Sequence, residues 1–367
     1  MDHPESRDPA LAFDSYIAVA LQPKIYGCRN RQDIKRNIKN QLSLLDNSVM
    51  HAFLVGGGPV KLVAFPEASI QGFWDETSHM DHARYCKDLA IEIPGEETDQ
   101  LARKAKEYGV YIVAQAKVVE PDIAPDRYFN QGFIISPEGE IILRHTKNII
   151  SVVEGSASPY DLWDRWSEKH GESLEAYYPV ARTEIGNLAV SICAETIFPE
   201  TFRAFTLMGA EVIVRMTLPE PMVMWGIWES TSRARAFDNA CYLVCPNGGP
   251  YYMNPDEDAP YSLLGGKSMI LDYRGSVRSR IDHQNEACVP AVIDIKALRE
   301  YRATSPHAAE LSQMRSGLWK QIYERWPDYP RNLYVERTYP HALERHALHL
   351  KALEKLLEAG IFTRPAR

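Results

Sequence analysis

The chain has no stretch approaching the roughly 20 consecutive apolar residues that a membrane-spanning helix requires, so a membrane protein of the helical kind is not expected. It also lacks a Lys/Arg cluster. The 41 basic residues are outnumbered by 49 acidic ones, for a formal charge of −8, and a nucleic-acid partner needs a basic face. No CxxC pair occurs among the six cysteines at 28, 86, 193, 241, 245 and 288. Reduced thiols in a cytoplasmic protein are therefore favoured over a disulfide framework or a zinc site. The opening MDHPESRDPALAFD is polar and acidic, which does not read as a signal peptide.

What is present is the composition of a globular protein, 45% hydrophobic and 25% charged, long enough to bury a core without staples. YIAVAL (16–21), KLVAFPE (61–67), VYIVAQAKVV (110–119), EVIVRMT (211–217), CYLVCPN (241–247) and ACVPAVIDI (287–295) read as strands. Residues 31–50 place Ile34, Ile38, Leu42 and Leu45 at helical spacing, and 97–108 form a helix capped by Gly109. Helices are also expected over 195–210, over SRARAFDNA (232–240) and late in the chain over HALERHALHLKALEKLLEAG. Hairpins are expected over 129–147, over 183–193 with a turn at Gly186-Asn187, and over 267–281. Alternating helices and all-apolar strands with hairpins between them predict an α/β layered sandwich with mixed strand pairing.

Three residues share one situation. Cys193 ends the apolar strand AVSIC just before a predicted helix, where free backbone N–H groups and a helix N-terminus lower a thiol pKa and stabilise an oxyanion. A buried structural cysteine is the alternative, and the segment alone does not decide. Glu67 follows LVAFP, a costly place for a carboxylate without a partner, and one that raises its pKa toward proton-shuttling use. Lys147 ends the hairpin strand IILRHT. All three lie at the C-terminal ends of strands, the edge where open α/β sheets gather their sites. A thiol, a carboxylate base and an ammonium are also what thiol-dependent amide hydrolysis requires.

The segments LVAFPEASIQGFW, GEIILRHTK and GNLAVSICAETIFPETFRAFTLMGAEVIV, with SRARAFDNACYLVCPN and GGKSMILDYRGSV, resemble the nitrilase (carbon–nitrogen hydrolase) superfamily over roughly residues 15–300. The resemblance implies a four-layer α-β-β-α sandwich and a Glu67–Lys147–Cys193 triad. It implies hydrolysis of a carboxamide to acid and ammonia through a cysteine thioester, without cofactor or metal. Nitrile or N-carbamoyl hydrolysis and a catalytically silent scaffold are the rival readings. FPEASIQGFW and EVIVRMT are most similar to the aliphatic-amidase and formamidase branch. There a second glutamate follows the lysine, a part Glu154 takes here by resemblance, orienting the lysine or the substrate amide.

The sequence departs from the family at His145-Thr146, where Tyr-Arg or a similar pair is usual, and at Ala194-Glu195 after the cysteine. Substrate contacts are expected from Trp74, Tyr128, Ala194, Glu195 and Trp225, with Trp228 beside them. Residues 155–178, with Trp163, Trp166, Tyr177 and Tyr178, are expected to form either a wall over the site or an insertion packed on itself. Residues 1–300 are expected to form the hydrolase domain, with 301–367 an extension of the same unit. The resemblance also implies a homodimer or larger homo-oligomer, in which that extension contributes subunit contacts.

Overall fold

Continuously buried strands and helices of 3.6-residue periodicity alternate along the chain, and the computed structural model shows how they stack. It describes residues 9–74, 80–151, 154–218, 223, 225–260, 265–336 and 342–365. The first half runs β1 (Ser15–Gln22), β2 (Ile25–Tyr26), α1 (Arg31–Gly56), β3 (Val60–Ala64), α2 (His82–Asp88), α3 (Glu96–Tyr108), β4 (Tyr111–Glu120), β5 (Ala124–Ile135) and β6 (Ile141–Thr146). Then come α4 (Trp163–His170), α5 (Leu174–Tyr177), β7 (Ala181–Thr183), β8 (Gly186–Ile192), a 3₁₀ turn (Cys193–Ile197), α6 (Pro199–Leu207), β9 (Val212–Met216), α7 (Ile227–Asn239) and β10 (Tyr242–Cys245). The chain closes with β11 (Tyr251–Tyr252), β12 (Met269–Leu271), β13 (Val277–Arg280), β14 (Ala287–Asp294), α8 (Ile295–Thr304), α9 (Pro306–Leu311), α10 (Ser316–Tyr323) and α11 (Ala342–Glu358).

Two six-stranded sheets form the centre, ordered β14-β1-β3-β4-β5-β6 and β13-β12-β10-β9-β8-β7. Their facing sides bury one core, with Ala18, Leu62, Val113 and Ile134 from the first sheet against Val190, Val214, Val244 and Ile270 from the second. The outer side of the first sheet packs on α1, α2 and α3 through Ile34, Ile38, Leu45, Tyr85 and Leu101. The outer side of the second packs on α6 and α7 through Phe202, Phe205, Trp228 and Ala236. The layers are therefore α-β-β-α, as the sequence resemblance implied. Strands inside such a stack are covered on both faces, which is why they read as continuous apolar runs.

Local departures from expectation have local causes. The strand before Glu67 stops at Ala64 because Pro66 has no N–H to continue a ladder. The β7–β8 hairpin turns at Glu184-Ile185, not at Gly186-Asn187; Thr183 pairs with Gly186, which takes the positive φ of 105° that leaves the turn. No helix begins at 195. Cys193 has φ 44° and opens a 3₁₀ turn, and α6 starts only at Pro199, a first-turn position where proline's missing N–H costs nothing.

Candidate active site

The ends of β3, β6 and β8 converge at one edge of the sandwich, and β5 contributes from between the first two. Lys147, completely buried, donates from Nζ to Glu67 Oε1 at 3.0 Å and to Glu154 Oε2 at 2.5 Å. Asn130 on β5 joins the same two carboxylates, its Nδ2 donating to Glu67 Oε1 and to Glu154 Oε1, each at 2.9 Å. Its own Oδ1 accepts from Gln115 Nε2 at 2.7 Å, and Gln115 Oε1 accepts from Ala68 N at 2.6 Å, fixing the turn that carries Glu67. Leu218 N donates to Glu67 Oε2 at 3.3 Å, and the Ser156 hydroxyl donates to Glu154.

These surroundings split the two glutamates. Burial raises the Glu67 carboxyl above the usual carboxylate range, and the Glu154 charge adds to this, while Lys147 and Asn130 pull against it. Burial would raise Glu154 too, but Lys147, Ser156 and Asn130 outweigh it and bring that carboxyl down to about 2. Burial alone would lower the Lys147 ammonium; Cys193, Glu154 and Glu67 around it hold it well above the ordinary value. The site therefore holds one buried ammonium between two carboxyls whose surroundings push them in opposite directions. Carboxylates whose surroundings push their pKa values apart are the signature of divided acid and base roles.

Cys193 stands at the first position of its turn, in the left-handed region that a residue with a Cβ adopts at a cost. Its carbonyl accepts from Thr196 Oγ1 at 2.7 Å, and Thr196 Oγ1 in turn accepts from Arg215 Nη2 at 3.1 Å. Burial pushes the thiol well up, the Glu67 charge pushes it further, and Lys147 opposes both. The other five cysteines also carry no disulfide. Among the described residues no cluster of His, Cys, Asp and Glu is arranged to hold a metal ion.

Glu67, Lys147, Glu154 and Cys193 are thus brought together, but the residues expected to touch substrate separate. Glu195 is completely buried with its carboxylate given to the protein: Ile192 N donates at 2.8 Å, Asn148 N at 2.9 Å, and His145 Nε2 lies 3.0 Å away. It clamps the end of β8 to the end of β6 and is not placed as a substrate contact. Tyr128 is buried against His82, Tyr85 and the Lys117 ammonium, and Trp228 lies in the helix–sheet core beneath Arg215. Trp225 is 76% exposed and Trp74 is half-buried near the Arg29 guanidinium, so these rings do not combine into an aromatic pocket. Ala194 sits in the cysteine's own turn.

Asn130, Gln115, Ser156, Arg215 and Thr196 were not anticipated. The signal available was a polar amide inside an otherwise apolar strand, as in YIVAQAKVV and FNQGFII.

Residues 155–178 form a satellite core of their own. Ala157, Leu162, Trp166 and Tyr177 pack with Ile123 and Phe129 below and Tyr334 of the extension above. Tyr177 O accepts from Asn148 Nδ2 at 2.7 Å, which ties this layer to the residue after Lys147.

Fold and site together define a thiol-bearing α-β-β-α sandwich of the nitrilase type. The chain belongs to the carbon–nitrogen hydrolase family, whose sequence model matches residues 20–303. A formamidase of Bacillus cereus (strain Q1) is 28% identical over 240 residues, covering 65% of this chain and 64% of that protein. A formamidase of Helicobacter acinonychis (strain Sheeba) is 28% identical over 241 residues, with the same coverage. The match thus spans a little under two thirds of these relatives' length.

Among solved structures, Nit3 of Saccharomyces cerevisiae, a member of branch 10 of the nitrilase superfamily, superposes with a TM-score of 0.61 at 18% identity, over 81% of this chain and 97% of that one. A mutant of the amidase from Nesterenkonia sp. AN1, with the acetamide moiety of fluoroacetamide added covalently at its active-site cysteine, gives 0.59 at 16% identity, over 87% and 99%. At such identities the likeness establishes the fold.

Proposed function

We propose that the protein hydrolyses a carboxamide to a carboxylic acid and ammonia through a thioester on Cys193. The observation that carries this reading is the Lys147 ammonium held between a carboxyl of raised pKa, Glu67, and one of lowered pKa, Glu154. Glu67 takes the thiol proton, and the sulfur attacks the amide carbon. Lys147, whose charge lies close to the Cys193 sulfur, stabilises the tetrahedral oxyanion. Glu67, now protonated, delivers its proton to the leaving nitrogen. Water activated by the same carboxylate then releases the acid and restores the thiol. The formamidase relatives and the covalent adduct in the Nesterenkonia amidase support this reading.

Ammonia and acid released from paired amides, nitriles and N-carbamoyl compounds sharing one carbon skeleton test the substrate class. The amide is expected to be fastest, because a site built to accept a hydrogen bond from an NH₂ group discriminates against a nitrile, which lacks one. A nitrile or carbamoyl compound clearly outrunning its amide would overturn the assignment. Because Trp74, Tyr128, Trp225 and Trp228 do not combine into one pocket, we favour a small acyl group.

The exposed apolar side chains Ile197, Phe198, Leu207, Ile227 and Phe237 around α6 and α7 support association of like subunits. Among the described residues no helix is long and apolar enough to cross a membrane. Six unbridged cysteines suit the reducing cytoplasm we assign to the protein.

A further inference from the structure

Cys193 has a neighbour that the mechanism above does not use. Strands β8 and β9 run parallel with Ile192 opposite Met216, so the next residues, Cys193 and Thr217, emerge side by side. Thr217 is completely buried, and its Oγ1 makes no hydrogen bond of ordinary geometry to nitrogen or oxygen, the group it faces being the Cys193 sulfur. Its backbone is fixed, the N–H donating to Pro246 O at 3.3 Å and the residue bridging to Asn247 on the far side. A hydroxyl with free rotation is thus held in place beside the nucleophile by a rigid strand end.

An unsatisfied buried hydroxyl lowers stability, and a valine of the same shape would avoid that cost. Such a group calls for a use outside the resting fold. The sulfur supplies one. Burial and Glu67 both disfavour the thiolate, Lys147 counters them, and the Thr217 hydroxyl adds to Lys147 in favouring the charged form. Lys147 is already engaged by two carboxylates, so a second donor at the sulfur has work to do.

We propose that Thr217 is a catalytic residue whose hydroxyl donates a hydrogen bond to the Cys193 sulfur as it ionises. The thiol proton goes to Glu67, and Thr217 keeps its own proton throughout. When the sulfur's electron pair forms the bond to the amide carbon, the sulfur loses its charge and the hydroxyl turns away. When the thioester is hydrolysed and the thiolate departs, the hydroxyl returns and stabilises the leaving group. This inference rests on the reading of Cys193 as the nucleophile.

The test is the pH dependence of iodoacetamide alkylation, located by mass spectrometry, in the wild type, Cys193→Ala, Thr217→Val, Thr217→Ala and Thr217→Ser. Thr217→Val is expected to fold with an unchanged or higher Tm. Its alkylation profile should move up by about one pH unit, and the rate at neutral pH should fall about tenfold, the scale of a charge-assisted hydrogen bond. Thr217→Ala, which also lacks the hydroxyl but imposes no branched shape, should move the same way, and Thr217→Ser should stay close to the wild type. Hydroxyl-free variants whose profiles superimpose on the wild type would overturn the proposal. Wild-type protein that takes no label at Cys193, matching Cys193→Ala, would instead overturn the nucleophile assignment, a distinguishable result.

Discussion

His145 Nε2 lies 3.0 Å from Glu195 Oε2, with both side chains completely buried, and this contact joins the strand that precedes Lys147 to the turn that opens on Cys193. Each residue falls in one of the two pairs, His145-Thr146 and Ala194-Glu195, at which the sequence resemblance breaks off. Taken separately, they read as a change beside the lysine and a candidate substrate contact. Together they are one clamp, completed by Ile192 N and Asn148 N on the same carboxylate.

Glu195→Gln tests the clamp. The amide keeps the size but has one acceptor oxygen for donors that now use two. Stability is expected to fall by about 2 kcal/mol or more, the scale of unmade buried hydrogen bonds to a charged group. kcat should fall at least about tenfold with KM little changed, since positioning and not substrate binding is lost. A KM effect alone would return Glu195 to the substrate side.

Glu67, Lys147 and Cys193 are expected to act as a unit. Lys147→Ala should cost at least about 100-fold in kcat/KM, the scale of a lost oxyanion donor. Pairing it with Glu67→Gln should cost little more than either change alone. Steady-state kinetics on the two single variants and the double check this; additive losses would mean separate roles.

How far this site was legible in the sequence depended on the kind of signal each residue left. Cys193, Glu67 and Lys147 each follow a predicted strand, so chain position pointed to one edge of the sandwich. Asn130 and Gln115 leave only an amide inside a strand, and what matters about them, their contact across β4 and β5, is a matter of register. The layers were legible because a twice-covered strand must be apolar throughout. The turn at Cys193 was not, since no local preference in SICAET demands its φ of 44°, and the contacts of Glu195 and Thr196 around it form only in the fold. Of the tryptophans only Trp228 fills the helix–sheet core, which a ring near a site in sequence has equal reason to do.

Glu154 carries a pH signature of its own. Its carboxyl is lowered to about 2 by Lys147, Ser156 and Asn130, against an ordinary value of 4.5. A depressed carboxylate contributes stability above its unfolded pKa and loses it as pH falls toward the folded one. The Tm gap between wild type and Glu154→Gln is therefore expected to be widest above about pH 5 and to narrow steadily toward pH 2. Thermal melts across that range check it, and a gap that grows on acidification would contradict the assignment of Glu154 as the fixed anion.

Thr196 tests whether the strained cysteine turn is held from behind. Thr196→Val removes the hydroxyl that links Arg215 Nη2 to the Cys193 carbonyl. Without that link the left-handed conformation, which costs on the order of 1–3 kcal/mol, loses a support and Cys193 samples other positions. kcat is expected to fall about tenfold, with Thr196→Ser close to wild type. A valine variant with full activity would show that the backbone alone secures the turn.

The last prediction concerns residues 155–178 and the extension after residue 300, which we propose are one packed layer of the hydrolase unit. Trp166 and Tyr334 share the satellite core with Phe129 of β5, and the Arg331 guanidinium lies 3.9 Å from the centre of the Trp163 ring. Removing a large buried aromatic typically costs about 3–5 kcal/mol. If the two segments support each other, Trp166→Ala and Tyr334→Ala should each destabilise, and the double variant should depart from additivity by at least about 0.5 kcal/mol. Denaturant melts on the two singles and the double measure this, with activity on a short and a longer amide followed alongside. Because Tyr177 O holds Asn148, next to Lys147, loosening this layer should also change the ratio of kcat/KM between the two amides. Additive destabilisation with an unchanged ratio would mean that the layer neither acts as one body nor reaches the site.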